Sequence, residues 1–79
     1  MTDTELLTQA EWNKLATNLL KSELARAGIG YEELINRLAS FGVTESYKGI
    51  ANKINRGTYS FTFFMQCMKA LKKTTVKLD

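Results

Sequence analysis

Seventy-nine residues, 44% hydrophobic and 24% charged with no proline, suffice for one folded domain and are too few for two, and they exclude a disordered chain. With no histidine and one cysteine, Cys67, the chain lacks Ser-His and Cys-His nucleophile pairs, an internal disulfide and most zinc sites, so no catalytic residue, no cofactor and no metal is expected. The net charge of +3 hides a segregation: residues 46 to 78 hold seven basic side chains and no acid, whereas the first 45 residues hold four basic and seven acidic ones, which points towards a polyanion as partner.

Residues 1 to 8 lack periodicity and read as a flexible N-terminal tail ahead of a single helical domain over 9–78. They carry Asp3 and Glu5 rather than a basic segment followed by an apolar one, and no run nears the ~18 to 20 apolar residues of a membrane span, so a cytoplasmic protein without membrane association is expected. Thr8 and Glu11 match the capping box that starts a helix. From there Trp12, Leu15, Ala16, Leu19, Leu20, Leu24 and Ala27 recur at spacings of three or four, the stripe of a core-facing helix, and Gly28 stops it.

A second stripe, Tyr31, Leu34, Ile35 and Leu38, predicts a helix ending near Phe41, with Glu32 and Glu33 placed to complement the backbone dipole of its first turn. Gly42-Val43-Thr44 then reads as a tight turn, Gly42 taking the left-handed conformation and Thr44 capping a third helix over 45–56. Tyr47, Ile50, Ala51 and Ile54 form its inner stripe. Lys48, Asn52 and Asn55, flanked by Lys53 and Arg56, form its polar face. Ser60 caps a fourth helix, Phe61 to Lys72, which is apolar almost all round and therefore expected to be the most buried. Thr74 to Leu78 alternates as a short extended tail. The fold class is all-α, a compact bundle of four to five helices.

Two amphipathic helices joined by a glycine-containing turn form the arrangement in which the second can enter a DNA major groove. Lysine and arginine neutralise phosphate, asparagine can pair with adenine, and groups near a helix N-terminus can hold phosphate. The expected DNA-binding residues are therefore Ser46, Tyr47, Lys48, Asn52, Lys53, Asn55 and Arg56, with duplex DNA as partner.

Ile54-Asn55-Arg56-Gly57, followed by a Ser60-led helix ending Met68-Lys69-Ala70-Leu71, resembles the phage-repressor-like helix-turn-helix proteins. The run Leu20 to Gly28, Tyr31-Glu32-Glu33-Leu34, Gly42-Val43, Ile50-Ala51-Asn52-Lys53-Ile54 and Phe64-Met65-Gln66-Cys67 is similar to a family of short bacterial proteins known as a domain of unknown function, over roughly residues 12 to 78. These resemblances imply a repressor-like helical fold and no established activity. Val43 precedes Ile50 by seven residues, so the turn is longer than in the repressor-like pattern, and Gly30 stands where a hydroxyl residue commonly caps. A second reading keeps the fold without DNA readout, as a protein-interaction or self-association module. It places Phe63 and Cys67, on the flank of the apolar fourth helix, in a contact with a partner or in a homodimer.

Overall fold

Thr8 begins the first helix as its spacing to Glu11 predicts. Its Oγ1 accepts from Glu11 N at 3.1 Å and its own N–H donates to Glu11 Oε1 at 2.8 Å, satisfying two backbone donors at once. The computed structural model describes residues 6–78, so most of the tail expected over 1–8 lies outside the described residues. Among the described residues the chain forms four helices and no strand: α1 (Gln9–Ala27), α2 (Tyr31–Ala39), α3 (Tyr47–Arg56) and α4 (Phe61–Ala70). They contain no fifth helix, and none is long and apolar enough to cross a membrane.

Gly28 closes α1 with φ +69°, where its N–H and that of Ile29 return to carbonyls of the last turn. Helix α2 ends at Ala39, two residues before the expected Phe41, and the turn after it is closed by the Gly42 and Val43 N–H groups, which donate to the carbonyls of Ala39 and Leu38. Gly42 then adopts the left-handed conformation. The start of α3 also moves. Ser46, rather than Thr44, accepts from Gly49 N at 3.0 Å, so the helix begins at Tyr47 and not at Glu45. Gly49 has a structural reason, since a Cβ there would crowd the Ser46 hydroxyl. Ser60 caps α4 by accepting from Phe63 N, and the helix ends at Ala70, before the expected Lys72.

Helix α3 lies against both α1 and α2, and α4 lies against α2. The core at their meeting is made by Leu20 and Leu24 of α1, Leu34 and Leu38 of α2, Ile50 and Ile54 of α3, and Phe63, Phe64, Cys67 and Met68 of α4. Phe63 and Cys67, expected at a self-association contact, are buried inside the chain itself. Burial of apolar area drives the packing, and close helix approach at one point shapes it. There Gly57, with φ +70°, meets α1 so closely that an added Cβ would collide with the Asn13 carbonyl.

Not every apolar stripe residue is covered. Trp12 and Leu15, expected in the core, remain about half exposed, and Tyr47 sits edge-on to Tyr31 near the surface with ring centroids 5.7 Å apart. The segment after α4, expected as a short extended tail, has no regular secondary structure. Lys72 turns it with φ +59°, and it crosses back to α1, where the backbone N–H of Lys77 donates to Glu23 Oε2 at 3.2 Å.

Candidate nucleic-acid interface

The outer arc of α3 carries Lys48, Asn52, Asn55 and Arg56, all exposed, because Ile50 and Ile54 at helical spacing commit the opposite side to the core. None of the two cations has an ion-pair partner among the described residues. Ser46 is engaged as the helix cap and Tyr47 stands beside Tyr31, so both border this arc rather than extend it.

Lys53, also expected to bind DNA, is already paired within the chain. Its Nζ lies 2.6 Å from Glu45 Oε2 and 4.6 Å from the centre of the Phe63 ring, which holds the ammonium in an internal ion pair and cation–π contact. The Glu45 side chain is largely buried there. The acid preceding α3 is thus neutralised within the fold, and Lys53 ties the helix to α4.

Three contacts fasten the end of α3 to α1. Thr17 Oγ1 donates to the Ile54 carbonyl at 2.7 Å in a buried bond, Gly57 fits against Asn13, and the Tyr59 hydroxyl donates to the Ala16 carbonyl. Burial pushes the Tyr59 phenol above its ordinary value, consistent with a hydroxyl that stays protonated as a donor. The consequence is a surface absent from the sequence reading. Lys14, Asn18 and Lys21 of α1 line one concavity with Asn55 and Arg56 of α3. Asn52, Lys53, Arg56, Thr58 and Ser60 line another beside it. Arg56 belongs to both, and no acidic residue lines either.

Other cations of the basic half go elsewhere. Lys73 reaches Glu23 Oε1 at 3.6 Å, in company with Arg26, whose Nη2 donates to Glu23 Oε2 at 2.8 Å. The Glu23 carboxylate is almost completely buried. Its pKa lies below the ordinary 4.5, chiefly through the Arg26 hydrogen bond, against the opposing effect of burial and with help from the Lys77 N–H and the charges of Arg26 and Lys73. Lys69 and Lys72 line neither concavity.

Chemically the surface offers cations, amides and hydroxyls. The thiol of Cys67 is buried and its pKa is pushed up to about 12 by burial, with Glu45 adding to the rise and Lys53 opposing it, so it is no nucleophile. Among the described residues no cluster of His, Cys, Asp and Glu could hold a metal ion.

A family model described as a domain of unknown function (DUF6471) matches residues 12–76, and the chain belongs to that family. No curated protein and no solved structure gave a match to the chain.

Proposed function

We propose that this member of the family is a DNA-binding regulator of repressor-like helix-turn-helix type, in which α2 and α3 form the helix pair and α3 meets the major groove. The observation that carries the reading is the acid-free surface on which Arg56 joins Asn55 and Asn52 of α3 to Lys14 and Lys21 of α1. Lys14, Lys21, Lys48 and Arg56 contact phosphates, and Asn52 and Asn55 reach base edges, where an amide can pair with adenine. Lys53 acts by holding α3 in place. The connection between α2 and α3, residues 40–46, is longer than the usual turn of ~3–4 residues, and in this reading α1 compensates by supplying phosphate contacts beside the end of α3.

Four phosphate contacts give a log–log salt slope near −3.6, so affinity for a mixed-sequence duplex should fall roughly 100-fold between about 50 and 200 mM salt. Fluorescence anisotropy of a labelled duplex measures this directly. Affinity that is equal at the two salt concentrations removes the reading, and so does the absence of binding at the lower one.

A further inference from the structure

A groove of about 570 Å³ is lined by Leu19 of α1, by Phe61, Phe64 and Met68 of α4, and by Val76 and Leu78 of the segment after it. Leu19 and Leu78 continue into a second concavity formed with Trp12 and Leu15, so the two make one apolar face. Four large side chains stand out from it: Phe61 is 76% exposed, Leu78 81%, Trp12 53% and Met65 52%. We propose that this face binds a second copy of the chain, Phe61 of each protomer entering the groove between α1 and α4 of the other.

Area is the first argument. Trp12, Leu15, Phe61, Met65, Val76 and Leu78 together leave on the order of 600 Å² of apolar surface, at the upper end of the ~300–600 Å² largest patch of ordinary monomers and near the ~800 Å² each partner brings to a standard interface. Shape is the second. A two-fold contact requires one patch to be complementary to itself, and here the exposed Phe61 ring is itself part of the groove's lining, so one patch supplies both projection and recess. The third is charge. Arg26, Lys73 and Lys77 border the face, and the first two are paired with the buried Glu23, so two copies can meet there without opposing those two cations unpaired. An anionic membrane would favour unpaired cations at the same place.

The apolar face and the basic surface occupy different flanks of α1, about 130° apart by helical geometry, as Leu15 and Leu19 lie against Lys14 and Lys21. The two share Asn18 at their boundary, and a pair formed through the apolar face need not cover Lys14, Lys21 or Arg56. The inference does not depend on DNA binding.

Sedimentation equilibrium of the purified full chain without nucleic acid, from roughly 1 μM to 1 mM, tests it. The expected result is a monomer–dimer equilibrium whose dissociation constant rises roughly 30-fold or more in Phe61→Glu, as for loss of a buried aromatic anchor, with helical circular dichroism unchanged. Met65→Lys, at another exposed position of the same face, should act in the same direction and supplies the test if Phe61→Glu fails to fold. A monomer throughout overturns the proposal, whatever else then covers the face. A dimer indifferent to both substitutions overturns it as well.

Discussion

The hydroxyl of Thr17 donates to the carbonyl of Ile54 at 2.7 Å, joining the middle of α1 to the end of α3 across 37 positions of sequence. This bond lies beside the close approach of Gly57 to the Asn13 carbonyl. Together they set Lys14 and Lys21 next to Asn55 and Arg56. The candidate site is thus a product of helix packing and not of one amphipathic helix.

Substitution at this joint should separate its two parts. Gly57→Ala adds a methyl against backbone in a left-handed conformation and should cost about 2–4 kcal/mol. Thr17→Val should cost only about 1 kcal/mol, because the Ile54 carbonyl keeps the Gly57 N–H at 3.2 Å. Urea unfolding followed by circular dichroism gives both values. A neutral Gly57→Ala would show that α1 and α3 are not in close contact.

Local features were legible because their chemistry is local. Thr8 with Glu11, Gly28, Gly42 and Ser60 each act within a few residues, and each occupies the role its spacing predicts. For α3 the expected cap was Thr44, and the backbone geometry gives that role to Ser46. Periodicity marked Trp12 and Leu15 as apolar stripe residues, but no pattern along one helix says whether another helix covers it. The same limit hid Lys14 and Lys21, which face water on α1 and gain a role only where the end of α3 arrives. The charge segregation was a poorer guide, since Lys53 and Lys73 are held by Glu45 and Glu23.

Glu23 makes the fold sensitive to acid. Its carboxylate pKa is lowered in the folded chain, so between the folded and unfolded values the unfolded state binds more protons, and folding favours the charged form. The contribution is complete above the ordinary value of 4.5 and is lost as pH falls through the lower folded value. Glu23→Gln should destabilise the protein at pH 7 by about 1–3 kcal/mol, below the ~3–5 kcal/mol of a fully buried pair because Arg26 and Lys73 are partly exposed. Unfolding titrations from pH 7 to about pH 3 should show the gap between the two proteins closing on acidification. A constant gap would mean that the ion pairs contribute nothing.

Cys67 should react only when the chain opens. With a thiol buried in the core and a pKa near 12, alkylation of the native protein at pH 8 should be at least ~100-fold slower than in denaturant. Mass spectrometry of samples quenched over time measures the ratio. Equal rates would place Cys67 at the surface.

A charge-matched pair of variants tests the central claim most directly. Lys14 of α1 lies on the joined surface although it belongs to the acidic half of the sequence, and Lys72 is exposed in the basic half but lines neither concavity. Each change to alanine removes one positive charge. Measured on the same duplex across about 50 to 200 mM salt, Lys14→Ala should reduce the magnitude of the log–log slope by roughly 0.9, and Lys72→Ala should leave it unchanged. Equal losses from the two variants, or a loss from Lys72→Ala alone, would contradict a nucleic-acid interface built by α1 and α3.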